Sequence, residues 1–246
     1  MRAKLLIIWL LLLNSITVLA QGGNLEQGIY DLNRGEFKQA IAEFTPLVEQ
    51  GYAPAQYQMA VIYQNGYGVR KDGMKALELF ELAAKQNNAD AQFELALIYT
   101  EGKLVKKNLK HAYELTKKAA NKGLASAQFN LAVMYANGEG VKQDVFKASR
   151  WYETAANQNY ALAQYNLALL YSEGRGVEKS TEMSYVWNTI ASWNGYPNAE
   201  KSRLMDERDL SKMKIENGRE KANQIYQKIK EQQENKAKMA EKQRVF

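Results

Sequence analysis

A period of 36 residues dominates the chain. Four blocks begin at Ala53, Ala89, Ala125 and Ala161. They open APAQYQMAVIYQNGYGV, ADAQFELALIYTEGKLV, ASAQFNLAVMYANGEGV and ALAQYNLALLYSEGRGV. Eight columns are identical in all four blocks, among them Tyr63, Tyr99, Tyr135 and Tyr171, and Gly66, Gly102, Gly138 and Gly174. A fixed period of this length means a stacked array of small units, because one unit has too little apolar face to fold alone.

Each block reads as two helices. In the third, Ala127, Leu131, Ala132 and Tyr135 recur at helical spacing and give one apolar face. Gly138 and Gly140 then break the pattern. Asp72, Asn108, Asp144 and Ser180 share one column and are the residue types that accept bonds from a helix's first free amides. Ala148, Trp151, Tyr152, Ala155 and Ala156 form the inward stripe of the second helix. Asn87, Gly123, Asn159 and Gly195 close it, as residues that tolerate a left-handed cap. Small residues at Ala60, Ala96, Ala132 and Ala168 let helix axes approach closely, and Trp151 and Trp187 fill wider gaps.

The ends depart from the period. Residues 25–52 read as a shortened N-terminal capping repeat: a helix near Leu25 to Leu32, a turn at Gly35, and a helix near Phe37 to Gln50, with Pro46 expected to kink it. Repeats follow at 53–88, 89–124, 125–160 and 161–196. Residues 197–230 read as C-terminal capping helices, with Ser211 capping a long helix whose stripe is Ala222, Ile225, Tyr226 and Ile229. That stripe is expected to cover the last repeat. Residues 231–246 read as a basic, exposed and frayed tail.

Residues 1–20 read as an address. Arg2 and Lys4 precede the apolar run Leu5 to Leu13, and Val18, Leu19 and Ala20 form a cleavage signal. The expectation is export with cleavage after Ala20, to the periplasm of a Gram-negative bacterium or the outside. No Cys follows the cut, which excludes a lipidated anchor. Without the leader, 31 basic residues face 27 acidic ones, and the stretch from Lys212 to Phe246 alone carries a net charge of +5. The body is therefore near neutral, and nucleic acid is not an expected partner. Membrane contact is left to the basic tail, as the alternative to a solvated helix.

The blocks resemble Sel-one-like repeats, relatives of the tetratricopeptide repeat. That family's pattern runs roughly A-x-A-x-x-x-L-G-x-x-Y-x-x-G-x-G-V, then D, A, W or aliphatic, A-A and G. The copy from Ala125 to Tyr160 follows it closely, and the likeness spans about residues 25–230. The family's Gly after Leu is Ala in every copy here; Leu104 replaces a loop Gly, and Ser184 and Ser192 replace core Ala. The resemblance implies an all-α fold: a right-handed α-solenoid of antiparallel helix pairs with first helices lining a concave face, here ending in a long C-terminal helix. It implies an adaptor that binds another protein, acting as an envelope regulator or assembly factor. The alternative is an immunity protein against a toxin delivered to the periplasm.

By analogy with tetratricopeptide repeats, the partner would meet first-helix columns two, five, six, nine, twelve and thirteen. Column five is Tyr57, Phe93, Phe129 and Tyr165; column six is Gln58, Glu94, Asn130 and Asn166; column thirteen is Asn65, Glu101, Asn137 and Glu173. Rings plus amides suit an extended peptide. The other reading is that the rings pack between helices and column thirteen is simply solvated.

Catalysis has little to work with. Cys is absent and His111, expected on a solvent face, is the single His, so no thiol nucleophile or Ser–His triad is expected. Glu78, Glu81, Glu94 and Glu101 fall on different faces, leaving no acid–base pair. The loops NGYG, NGEG and EGRG lack a following Lys-Ser/Thr and read as turns. The expectation is a monomer with no catalytic residue, metal or cofactor. The enzymatic alternative is a β-lactamase-like hydrolase, whose family relatives carry a disulfide in each repeat.

Overall fold

The computed structural model describes residues 22–244. The predicted leader and its cleavage site lie outside the described residues. Every regular element among those residues is a helix, twelve in all. The fold is an all-α repeat solenoid. The chain divides into two compact units at Lys107/Asn108, inside the loop of the second repeat.

The first unit holds α1 (Leu25–Asn33), α2 (Phe37–Glu49), α3 (Ala53–Asn65), α4 (Gly73–Lys85) and α5 (Ala89–Glu101). Each of these helices packs on the next. Asn24 caps α1 through a bond from the Gln27 amide. Pro46 sits in the final turn of α2, and the helix continues to Glu49. Phe44 is fully buried and meets α1 at Gly28, where a Cβ would lie 2.4 Å from its ring.

The second unit holds α6 (Leu109–Asn121), α7 (Ala125–Asn137), α8 (Val145–Ala156), α9 (Ala161–Glu173), α10 (Thr181–Trp193), α11 (Ala199–Arg208) and α12 (Lys212–Arg244). Sequential packing runs from α6 to α11, and α12 packs on α10. Ala222 and Ile229 of α12 are buried, and Tyr226 meets Trp193 edge to face at 5.5 Å. The amide of Lys214 points at Ser211 Oγ, 3.4 Å away. Beyond Lys230 the helix does not fray. It continues as helix to Arg244, exposed from Glu231 to Met239, and Gln233 Nε2 and Lys236 Nζ bond Gln158.

Every repeat is punctuated alike. Asp72, Asn108, Asp144 and Ser180 each accept a bond from the amide three residues on. The second helices end at Asn87, Gly123, Asn159 and Gly195, all at positive φ. The following amide then bonds the carbonyl of the invariant Ala83, Ala119, Ala155 or Ala191, which completes a Schellman-type close.

One loop position shows why the sequence alternates as it does. Gly140 and Gly176 sit at positive φ, and a Cβ on either would fall 2.1 Å from the Leu109 or Val145 carbonyl oxygen. The loop therefore rests directly on the start of the preceding second helix. Repeat 2 carries Leu104 there, at ordinary φ, and the residue beneath it is Gly73. The glycine has moved to the other side of the same contact. This is the physical reason that loop departs from the pattern.

Candidate partner-binding face

The first helices position the face, and a polar column sets how they stack. Gln56, Gln92, Gln128 and Gln164 are buried. Gln92, Gln128 and Gln164 donate Nε2 to the carbonyls of Ala84, Ala120 and Ala156 at the end of the preceding repeat. Gln56, Gln128 and Gln164 also accept from Gln86, Gln158 and Asn194 of their own repeat, at 2.9, 2.6 and 2.9 Å. Gln86, Gln158 and Asn194 in turn bond Gly51 O, Gly123 O and Asn159 Oδ1. Gln128 and Gln164, buried and bonded through both nitrogen and oxygen, fix the register of their repeats on the preceding ones, while Gln92 Oε1 receives no bond among the described residues. This column was visible as an invariant Gln, but nothing in the sequence showed which carbonyl it would meet.

In the first unit, Tyr57 and Phe93 are half-buried. The Tyr57 ring lies 5.9 Å from that of Phe80 on α4. Burial first, then Asp90 and Glu94, push the Tyr57 hydroxyl up to about 12, so it remains a donor. Glu94 is raised above the ordinary carboxylate range, chiefly by burial, and accepts from Gln64. Gln58 is half-buried beside them. Asn65 bonds Val61 O in its own helix, and Glu101 pairs with Lys103 in solvent.

In the second unit, Phe129 packs 5.6 Å from Tyr152 and 5.4 Å from Tyr160. Tyr165 meets Tyr196 at 4.7 Å. Asn130 is half-buried, and Asn166 spends its amide on Leu162 O. Asn137 bonds Glu139, and Glu173 pairs with Arg175. Tyr57, Phe129 and Tyr165 thus pack between helices while keeping an edge on the surface. Column nine supplies the apolar part of the face, most exposed at Leu169, which is 42 % accessible.

The second unit ends in a polar layer. Arg203 of α11 pairs with Glu200 and Glu207. Glu200, which also accepts from Ser192, is lowered to about 2, first by Arg203 and then by Ser192. Asp206 accepts from Ser184 and Asn188. The sequence signal was the pair of serines in place of alanine; the acidic partners on α11 were missed. His111 is exposed. Among the described residues no cluster of three His, Asp or Glu is placed to hold a metal ion.

The arrangement is that of a stacked-repeat interaction scaffold. A family model for the Sel1 repeat matches residues 53–88, 89–124, 125–160 and 161–191, and the chain belongs to the Sel1 repeat family. The structure resembles the crystal structure of a Sel1 repeat protein from Oxalobacter formigenes: TM-score 0.69, 25 % identity, covering 85 % of each chain. It also resembles c5321, a protective antigen of uropathogenic Escherichia coli strains with an SLR fold. There the TM-score is 0.55 and the identity 29 %, over 78 % of this chain and 49 % of that one. No curated protein matches the sequence. Sel1 repeat proteins mediate protein–protein interaction and are in general non-enzymatic scaffolds.

Proposed function

We propose that this chain is an exported, non-enzymatic scaffold that binds a partner protein through its first-helix face, acting in the bacterial envelope as a regulator or assembly adaptor. The observation that carries the reading is the composition of that face. Within the second unit it joins the half-buried rings of Phe129 and Tyr165, the amides of Asn130 and Asn166, and the accessible Leu169, and within the first unit the half-buried Tyr57, Phe93 and Gln58. Rings and aliphatics give contact area, and amides pair with a peptide backbone. Export rests on the sequence of the first 20 residues.

Tyr165→Ala is a poor probe, because Tyr165 also packs on Tyr196. Charge placed at Asn130 and Asn166 changes the face and spares the packed rings. Affinity capture from crosslinked envelope fractions is expected to recover a protein with the native chain and to lose it with Asn130→Arg plus Asn166→Arg. Recovery unchanged by that pair overturns the assignment. A leader-deleted chain is expected to stay in the cytoplasm; export without residues 1–20 overturns the localisation.

A further inference from the structure

Three columns set the contact between a second helix and the next first helix. In repeat 1 they are Ala76, Phe80 and Ile98; in repeat 3 they are Ala148, Tyr152 and Leu170; all six are buried. The rings of Phe80 and Tyr152 reach Tyr57 and Phe129. In repeat 4 all three columns change at once, to Ser184, Asn188 and Asp206. Tyr165 has no ring opposite it from α10. Among the described residues its ring contact is with Tyr196, the counterpart of Phe129 with Tyr160.

The missing ring leaves a cleft of about 260 Å³ between α9, α10 and α11. Its floor is Ser184, Asn188 and Asp206, and Tyr165, Leu169 and Met205 line it as well. The floor is short of donors. Ser184 Oγ and Asn188 Nδ2 both bond Asp206 Oδ2, at 2.9 and 2.8 Å. Asp206 Oδ1 receives no bond among the described residues. Asn188 is only 3 % exposed, and its Oδ1 has no partner among the described residues. A buried acceptor left without a donor costs about 1–3 kcal/mol. No basic side chain among the described residues pairs with Asp206; Arg203 on the same helix is held by Glu200 and Glu207.

We propose that this cleft seats a lysine or arginine side chain of the partner protein. The inference rests on the first-helix face being the binding face, since Tyr165 and Leu169 belong to it. The incoming cation donates to Asp206 Oδ1, and its methylene stem lies along Tyr165, Leu169 and Met205. Burial raises the Asp206 carboxyl above its ordinary value even though Asn188 and Ser184 lower it, and Asp209 raises it further. A cation in the cleft removes that penalty. Trading an apolar trio for Ser, Asn and Asp is otherwise an unfavourable way to join α10 to α11.

The test is a titration of the isotope-labelled full chain followed by NMR at the Asp206 carboxyl carbon and the Asn188 side-chain amide. The probes are the N-acetyl methylamides of arginine, lysine and citrulline, citrulline being arginine's neutral isostere. Both basic probes are expected to saturate in the millimolar range, with citrulline at least about tenfold weaker. Asp206→Asn is expected to weaken the basic probes by about tenfold as well. Citrulline binding as well as arginine, or no movement of either signal with the basic probes, overturns the proposal. Neither outcome needs the variant. Partner capture that is unaffected by Asp206→Asn but lost on Asn130→Arg plus Asn166→Arg sinks this site and leaves the face intact.

Discussion

Replacing Gln128 by Met is the sharpest test of how the repeats hold register. Methionine keeps the length and volume of the side chain, so packing changes little. It removes the Nε2 donor to Ala120 O at 3.2 Å and the Oε1 acceptor for Gln158 Nε2 at 2.6 Å. Two net hydrogen bonds are worth about 1 kcal/mol each, and the Ala120 carbonyl keeps the Gly123 amide as a donor, so no orphaned acceptor adds to that. Gln158 retains its bond to Gly123 O, so its amide is not orphaned. The expected loss is about 2 kcal/mol. For a chain of this size that lowers the melting temperature by about 4–8 °C. Circular dichroism during thermal and urea unfolding reads it. Gln158→Met alone should remove the same Gln128–Gln158 bond, so the double variant should lose less than the sum of the singles, with a coupling of about 1 kcal/mol. A Gln128→Met chain within about 0.5 kcal/mol of the native one, or strictly additive losses, refutes the reasoning.

Two further perturbations separate strain from space and charge from burial. Gly123 and Gly140 both sit at positive φ, but a Cβ at Gly123 meets nothing within 4 Å, while one at Gly140 lands 2.1 Å from Leu109 O. Alanine at 123 should therefore destabilise by about 1 kcal/mol, and alanine at 140 by clearly more because backbone must move. Equal melting temperatures for the two variants would remove the claim that the loop rests on the preceding helix. Asp206 has a folded-state pKa raised above 3.8 by burial. Between 3.8 and that raised value the folded chain binds more protons than the unfolded one, so this group's contribution to stability falls as pH rises through the window. Asp206→Asn should lack that fall. The native-minus-variant difference in melting temperature should become less favourable to the native chain from acid to neutral pH; a difference flat with pH contradicts the assignment.

Much of the fold was legible because each repeat states its own grammar four times. The capping column, the left-handed closing residues and the alanine columns need only local chemistry, and all three appear where the sequence places them. Less legible were contacts between columns far apart in the chain. An invariant Gln announces importance, but only packing shows that it joins one repeat's carbonyl to another's amide. Leu104 signals a changed loop, yet its compensation by Gly73 lies 31 residues earlier. Ser184 marks a departure from Ala, but the carboxylate it serves sits on α11, where the period has faded. The tail past Lys230 has little apolar surface to bury and reads as frayed; its helix is instead tied by polar bonds from Gln233 and Lys236 to Gln158. As for the face, the aromatic column follows both readings at once, since Tyr57, Phe129 and Tyr165 pack within the array and still reach the surface.

The most direct measurement of the binding face is site-specific photocrosslinking in living cells. A photoreactive phenylalanine analogue is placed singly at positions 130 and 166 on first helices, and at the exposed positions 118 and 153 on second helices. A scaffold that works through its first helices yields a discrete protein adduct from 130 and 166 and none from 118 and 153. Adducts confined to 118 and 153 contradict it.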